Sequence, residues 1–232
     1  MDALLQIDGL TKRFGDATAL DNVSLTCQAG HIVGLLGPNG SGKTTLIKII
    51  NGLLAPTSGQ VQVGGQTPGP TTKAHVSYLP DHPYFDNWMK VRDCVGLFGD
   101  FYADFDKAKA ADMLKALGID TGKTFRTLSK GTQEKVQLAL VMSRQAQLYL
   151  LDEPIGGVDP AARDFILDTI IKNYNEDGCV VISTHLIADI EKVLDDVIFL
   201  SAGRVTRTGS ADDLREQTGK SVDEVFREDF KC

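Results

Sequence analysis

One segment restricts the possible folds more than any other: residues 37–44 read Gly-Pro-Asn-Gly-Ser-Gly-Lys-Thr. They match the G-x-x-x-x-G-K-[ST] pattern of a phosphate-binding loop. The apolar run His31–Leu36 precedes them and predicts a strand that is buried on both faces. The residues that follow predict a helix ending at Gly52. A strand, a glycine-rich turn and a helix in this order predict an α/β fold with a phosphate site at the turn.

The glycines of this turn allow backbone N–H groups to point inward at phosphate oxygens, and the helix N-terminus adds a partial positive charge. Lys43 is expected to reach the β- and γ-phosphates of a nucleotide, and the Thr44 hydroxyl to ligate Mg²⁺. The alternative, a chance glycine-rich turn, is disfavoured because the flanking elements are those of a nucleotide site. The residues expected to contact the nucleotide are Gly37, Asn39, Gly40, Ser41, Gly42, Lys43, Thr44 and Thr45.

A second apolar strand is predicted at Leu148–Leu151, and two carboxylates, Asp152 and Glu153, follow it directly. Asp152 is expected to hold Mg²⁺, directly or through water, as in other phosphate-loop enzymes. Glu153 is placed to polarise an attacking water, which makes it the candidate general base. A solvated strand end is the alternative, and the phosphate loop in the same chain disfavours it.

The charge of the chain excludes one large class of ligands. Its 24 Lys and Arg against 31 Asp and Glu give a formal net charge of −7. Because nucleic-acid binders usually carry a positive balance, we expect no nucleic-acid partner.

The apolar runs and the cysteines indicate a cytoplasmic location. No apolar run approaches the ~20 residues of a membrane span, and an acid at position 2 does not suit a signal peptide. The four cysteines have no metal-ligand spacing and are expected to be buried or incidental thiols.

A third motif identifies a family. Residues 128–133, Leu-Ser-Lys-Gly-Thr-Gln, precede a helix predicted from about Thr132 to Arg144, and they resemble the LSGGQ signature of ATP-binding cassette (ABC) ATPases. The phosphate loop, this signature, the Asp-Glu strand, Val158-Asp159 and His185 follow one another in the order of that family. The resemblance covers essentially the whole chain. The KGTQEK form of the signature and the short tail look most like those of bacterial export ATPases of the antibiotic-resistance type.

This resemblance implies one ABC ATPase domain over residues 1–232. Its fold class is α/β: a phosphate-loop NTPase (RecA-like) core with an N-terminal antiparallel β subdomain and an inserted α-helical subdomain. The core and β subdomain are expected at 1–82 and 146–210, the helical subdomain at 83–145, and a short tail at 211–232.

The resemblance also assigns roles to further residues. Ser129 and Gly131 would contact the γ-phosphate held by the other protomer, and His185 would contact the γ-phosphate and help to orient the water. Phe14 would stack on adenine, and Asp159 would contribute to nucleotide binding. Asp81 stands where the family has a Q-loop glutamine, and it is the remaining candidate for contact with Mg²⁺.

Seven of the 16 aromatic residues fall within residues 84–105. They form either the core of the helical subdomain or a groove for a helix of a partner, since aromatic side chains anchor interfaces. Both readings stay open, although the resemblance favours the groove. The seven are Tyr84, Phe85, Trp88, Phe98, Phe101, Tyr102 and Phe105.

The resemblance implies the nucleotide-binding subunit of an ABC transporter, with ATP and Mg²⁺ as cofactors. It would hydrolyse ATP at a head-to-tail dimer interface, with an identical or different second protomer. A separate transmembrane permease would place it on the inner face of the membrane, where it would drive export. Two rivals are a soluble ABC protein acting on ribosomes or DNA, and a small-molecule kinase. The first usually has two cassettes or basic surfaces, and the second would require neither the signature nor His185.

Overall fold

The apolar run after His31 forms the strand β3 (Ile32–Leu36), which lies inside a six-stranded sheet in the order β5-β6-β7-β3-β8-β9. The computed structural model describes residues 3–158 and 160–230. Five of these strands are parallel, and the edge strand β9 is antiparallel to β8. The other strands of this sheet are β5 (Val76–Leu79), β6 (Leu148–Asp152), β7 (Cys179–Thr184), β8 (Asp196–Ser201) and β9 (Arg204–Ser210).

A second, antiparallel sheet of three strands has the order β2-β1-β4. It contains β1 (Leu5–Phe14), β2 (Ala17–Cys27) and β4 (Ser58–Val63). The sequence suggested short strands near the N-terminus, yet β1 and β2 have 10 and 11 residues. Register shifts along their pairing allow this length, because they let the long hairpin bend while alternate residues stay buried.

Some helices cover the two faces of the larger sheet, and others pack on one another in a separate helical group. The fifth helix, α5, begins at Lys130, two residues before the predicted Thr132, because the Ser129 side chain accepts a hydrogen bond from the Thr132 N–H and caps it. The helices are α1 (Lys43–Ile50), α2 (Pro70–Lys73), α3 (Val91–Phe101), α4 (Lys107–Ala116), α5 (Lys130–Met142), α6 (Pro160–Asn173), α7 (Ile187–Ile190), α8 (Ala211–Thr218) and α9 (Val222–Phe230).

Three clusters of buried apolar side chains hold these elements together. One lies between the larger sheet and helices α5, α6 and α9, and the second joins the other face of that sheet to α1 and the antiparallel sheet. The third joins α3, α4 and the side of α5 that carries Val136, Ala139 and Leu140. Because α5 contributes to the first and third clusters, it ties the helical group to the sheet. The predicted boundaries of core, helical subdomain and tail stay predictions.

The α/β architecture with an antiparallel sheet confirms the predicted fold class. Cys27, Cys94 and Cys179 are free and buried, as expected, and Cys232 lies outside the described residues. Within residues 3–158 and 160–230, no helix has the length and apolar character needed to cross a bilayer.

Candidate nucleotide site

The parallel strands β6, β7 and β3 are neighbours, so their carboxyl ends lie at one edge of the larger sheet. Ligands of open α/β sheets bind at this edge. The glycine-rich turn follows β3, Asp152 and Glu153 lie at the end of β6, and His185 follows β7. Asp81 comes two residues after β5, the strand next to β6. The topology therefore brings together residues that are up to 148 positions apart (185 − 37).

The turn between β3 and α1 requires glycine at specific positions. Gly40 and Gly42 have φ values of 80° and 109°, where residues with a Cβ are strained. A Cβ on Gly42 would also lie 2.7 Å from the Ala19 carbonyl oxygen. Gly42 is the N-cap of α1, so the N-terminus of this helix opens onto the turn. The geometry is that of a backbone anion site.

A cavity of about 250 Å³ lies at this turn. It is lined by most of the residues that the phosphate-loop motif predicted, by one residue of strand β2 and by one residue from each of two other loops. Its lining residues are Ala19, Asn39, Gly40, Ser41, Gly42, Lys43, Thr44, Thr45, Asp81 and Glu153. Gly37 lies at the start of the turn, and its carbonyl accepts a hydrogen bond from Lys43 Nζ at 2.7 Å.

Lys43 is buried, with 6% of its side chain exposed. Its ammonium group donates to the carbonyls of Gly37 and Pro38, at 2.7 and 3.3 Å, and lies 3.4 Å from Glu153 Oε1. A buried cation must be paired, and here one carboxylate and two carbonyls supply the partners. A bound phosphate would give the same ammonium group stronger, charge-assisted hydrogen bonds.

Asp152 is fully buried, and its Oδ1 accepts a hydrogen bond of 2.5 Å from the Ser183 hydroxyl. Burial raises the pKa of the Asp152 carboxyl, and the hydroxyls of Ser183 and Thr44 oppose this shift. Among the described residues, neither Asp152 Oδ2 nor the buried Ser41 Oγ has a hydrogen-bond partner. A carboxylate oxygen without a hydrogen-bond partner, beside the Thr44 hydroxyl, suits a hard cation, since Mg²⁺ takes oxygen ligands. The residues present therefore fit a magnesium ion.

Glu153 has a left-handed backbone with φ of 49°, which is unusual for a residue other than glycine. Its backbone N–H donates to Ser183 O at 3.0 Å, which holds the residue at the end of the strand. Its carboxylate accepts a hydrogen bond from the Thr184 hydroxyl at 3.1 Å, and both oxygens lie 3.1 Å from His185 Nδ1. The carboxylate thus faces Lys43 on one side and His185 on another.

Asp81 lines the cavity, as expected for a residue close to the phosphates, and its Oδ1 lies 2.5 Å from His82 Nδ1. The loop that follows is fixed to α5 because Gln137 Oε1 accepts a hydrogen bond of 2.9 Å from the Tyr84 N–H. Asp81 therefore lies on a loop that contacts both the nucleotide cavity and the helix whose N-cap is Ser129.

Six of the predicted site residues that the structure describes are not among the residues lining this cavity. Three of them, Gly37, Asp152 and His185, lie beside it, because Gly37 and His185 contact the lining residues Lys43 and Glu153 and Asp152 directly precedes Glu153.

Of the other three, Ser129 and Gly131 lie at the start of α5, where the Ser129 side chain serves as the N-cap. Phe14 lies at the end of β1, half-exposed, with the Lys12 ammonium 4.9 Å from the centre of its ring. Asp159 lies outside the described residues. The expected roles of Phe14, Ser129, Gly131 and Asp159 stay predictions.

Two residues of the site, Ser183 and Thr184, were not among the predicted ones. Both hydroxyls contact the predicted carboxylates. The available signal was the change from an apolar strand to Ser-Thr-His at its carboxyl end, since polar residues that end a buried strand in an α/β sheet lie at the ligand edge.

A larger apolar groove of about 730 Å³ lies between the edge strand β5, the loop after it and helix α3. Five of the seven clustered aromatic residues line it: Tyr84, Phe85, Phe98, Phe101 and Tyr102. Phe98 is 7% exposed and belongs to the helical core, whereas Phe101 is 75% exposed. Trp88 is 72% exposed and does not line the groove. The aromatic cluster is thus partly core and partly surface.

A phosphate loop after a buried parallel strand, with an Asp-Glu pair at the end of a neighbouring strand, defines a phosphate-loop nucleotide hydrolase. Comparison with known proteins identifies the family. Residues 20–156 match the family model described as "ABC transporter". The chain is 32% identical over 236 residues to the daunorubicin resistance ATP-binding protein DrrA3 of Streptomyces coeruleorubidus, covering 98% of this chain and 75% of that protein. The chain belongs to the ABC transporter ATPase family, and it is an ATP hydrolase.

Solved structures agree with this assignment. A structure described as the ATP-binding subunit of an ABC transporter is 29% identical, with a TM-score of 0.85 over 97% of this chain and 98% of that one. The ATP-binding cassette MJ0796, a dimer bound to ADP and phosphate, shares the fold with a TM-score of 0.78 and 24% identity, covering 89% of this chain and 98% of that one. The predicted family, fold and ATPase activity are confirmed.

Proposed function

We propose that this chain binds ATP with Mg²⁺ in the 250 Å³ cavity and that Glu153 is the general base of hydrolysis. Lys43 and the N–H groups of the turn would hold the β- and γ-phosphates. Thr44, Asp152 and Asp81 would hold Mg²⁺, which would neutralise charge on the phosphates when bound. His185 would contact the γ-phosphate and help to orient the attacking water, since it lies 3.1 Å from the Glu153 carboxylate that would polarise this water.

We propose that a second protomer completes the nucleotide site. Ser129 and the Gly131 N–H, at the start of α5, offer an anion site that does not line this cavity. We propose that this site closes on the ATP of a second cassette, identical or different, in a head-to-tail dimer. Phe14, which is half-exposed beside the turn from β1 to β2, would stack on the adenine.

The observation that carries the transport proposal is the apolar groove. Its exposed apolar side chains, Leu53, Leu97 and Phe101, form a surface suited to one face of an amphipathic helix. Its lining includes Lys48 and Lys73 as well as Asp86, and a helix with an acidic edge would match the two lysines. We assign the groove to a cytoplasmic helix of a separate permease subunit. This would place the chain in the cytoplasm, on the inner face of the membrane.

The groove is connected to the nucleotide cavity through a short stretch of chain. Tyr84 lines the groove, Asp81 lines the cavity, and His82 lines the groove while contacting the Asp81 carboxylate. A helix that moves in the groove would therefore shift the loop that faces the phosphates. Such a connection would let ATP binding and hydrolysis do mechanical work on the permease.

The direction of transport is proposed as export, because DrrA3 is named for resistance to daunorubicin. Affinity purification of the tagged chain from solubilised membranes, followed by mass spectrometry, tests the partner. We expect a polytopic membrane protein that co-purifies in stoichiometric amount and raises the ATPase rate. Recovery of ribosomal proteins in its place would favour the soluble alternative.

A further inference from the structure

The last two residues of β7 lie beside the two carboxylates that end β6. The strands are parallel and paired, with Asp152 opposite Ser183, so the next residues, Glu153 and Thr184, also meet. Both Ser183 and Thr184 are fully buried. A buried hydroxyl restricts the positions that a neighbouring carboxylate can adopt if the hydroxyl donates its proton to that carboxylate and accepts a hydrogen bond from a fixed backbone group.

The hydrogen bonds of Ser183 determine where its proton points. The Glu153 N–H is shared between the Ser183 carbonyl oxygen at 3.0 Å and Ser183 Oγ at 3.2 Å. Oγ is an acceptor in this contact, because a backbone N–H can only donate. Its own proton is then available for Asp152 Oδ1, which lies 2.5 Å away. One hydroxyl therefore fixes the Asp152 side chain and adds to the backbone hydrogen bond that holds Glu153. This leaves Asp152 Oδ2 as the oxygen that is free for a metal ion.

Thr184 repeats this arrangement on the next carboxylate. Its Oγ1 accepts the Leu186 N–H at 3.0 Å and donates its proton to Glu153 Oε2 at 3.1 Å. The two charged or titratable partners of Glu153, Lys43 and His185, are both expected to contact phosphate when ATP is bound. Thr184 has no such competing ligand, so its hydrogen bond is the one that persists when the other two are redirected.

We infer that Thr184 and Ser183 are positioning residues for hydrolysis: Thr184 aims the Glu153 carboxylate at the attacking water, and Ser183 presents Asp152 Oδ2 to Mg²⁺. This inference rests on the roles proposed above for Glu153 and Asp152. Aligned reacting groups matter because a misplacement of about 1 Å can cost about a hundredfold in rate. The two hydroxyls should therefore affect different kinetic constants, although they are adjacent in the chain.

The first test compares Thr184→Val, which has nearly the same shape without the hydroxyl, with Thr184→Ser, which keeps it. In Thr184→Val we expect kcat to fall about tenfold to a hundredfold at saturating Mg²⁺, while the KM for ATP changes less than about twofold. Thr184→Ser should restore most of kcat. A purely structural role would lower the melting temperature of both variants without this separation of kcat from KM.

The second test uses Ser183→Ala. We expect a severalfold rise in the Mg²⁺ concentration that gives half-maximal activity, with kcat largely recovered at saturating Mg²⁺. Titration of Mn²⁺ in the presence of ADP, followed by electron paramagnetic resonance, should show the same weakening without any turnover. Thr184→Val should leave the Mn²⁺ affinity unchanged, so each variant is the control for the other.

Glu153→Gln separates this inference from the proposed function. If Glu153→Gln hydrolyses ATP at the wild-type rate, the general-base proposal itself is wrong. If Glu153→Gln is inactive while Thr184→Val keeps the wild-type kcat, only the positioning role of Thr184 is overturned. An unchanged Mn²⁺ affinity in Ser183→Ala overturns the role of Ser183. Should Thr184→Val fail to fold, Thr184→Ala removes the same hydroxyl with less bulk and is judged by the same criteria.

Discussion

Replacement of Phe101 by alanine should separate partner binding from stability. Phe101 is 75% exposed in the groove, so about a quarter of its ~200 Å² is buried in this chain. At ~25 cal/mol per Å², the loss of that ~50 Å² lowers the free energy of unfolding by about 1 kcal/mol. Burial of the other ~150 Å² by a permease helix is worth up to about 4 kcal/mol on the same scale. We therefore expect Phe101→Ala to weaken permease binding by about 2–4 kcal/mol, roughly 30-fold to 700-fold in Kd.

Phe98→Ala is the matched control, three residues earlier on the same helix. Phe98 is 7% exposed and packs among Phe85, Tyr102 and Phe105, so its removal should cost about 3–5 kcal/mol of folding stability. Urea unfolding measures the stability of both variants, and titration with the permease in nanodiscs measures affinity and stimulation of the ATPase. Trp88→Ala, at an exposed position beside the groove, shows how far the interface extends. The reasoning is refuted if Phe101→Ala binds the permease with wild-type affinity, or if it loses as much stability as Phe98→Ala.

Three further predictions concern the nucleotide site and a buried ion pair that stabilises the fold. Glu153→Gln keeps the size of the side chain but cannot polarise water as a carboxylate does, so ATP should still bind while steady-state phosphate release becomes undetectable; wild-type turnover would contradict this. Asp81→Ala should weaken the dependence of the ATPase rate on Mg²⁺ and abolish stimulation by the permease, while the affinity for ATP changes little. Asp81→Asn is the control of equal size. Normal stimulation of Asp81→Ala by the permease would contradict the coupling proposal. The buried Arg144 guanidinium donates from Nε and Nη2 to the two carboxylate oxygens of Asp104, at 2.9 and 3.0 Å. Asp104→Ala removes this partner and should lower the free energy of unfolding, measured with urea, by about 3 kcal/mol. A decrease below ~1 kcal/mol would show that the ion pair is not needed for stability.

Much of the site follows from local sequence patterns. The phosphate loop could be predicted because the glycine positions, the buried strand and the start of the helix are all encoded within one short stretch of sequence. The Asp152-Glu153 pair could be predicted for the same reason, as polar residues at the end of an apolar run. Parallel strands then place both groups at one edge without any further information.

The remaining features depend on pairing and packing that a single sequence does not show. Ser183 and Thr184 contact carboxylates 31 residues earlier in the chain, and only the register of β6 with β7 makes them neighbours. The sequence alone could not divide the aromatic cluster into core and groove residues. The residue types do not show which aromatic side chains of α3 pack against the other helices. Phe98 and Phe101 are the same residue type on the same helix, but only Phe98 is buried. The three-residue spacing puts them close together on the helix, yet Phe101 is at its exposed end.

The central claim is that Ser129 of one protomer acts on the ATP held by Lys43 of the other. The most direct test places Ser129→Arg and Lys43→Ala in two differently tagged chains that both carry Glu153→Gln, so that any ATP-bound dimer persists. Neither chain alone should dimerise with ATP, because every site would contain one defective half. A mixture should form doubly tagged dimers with one ATP each, since one composite site is then intact. ATP-dependent dimers of either chain alone, or none in the mixture, would contradict the shared site.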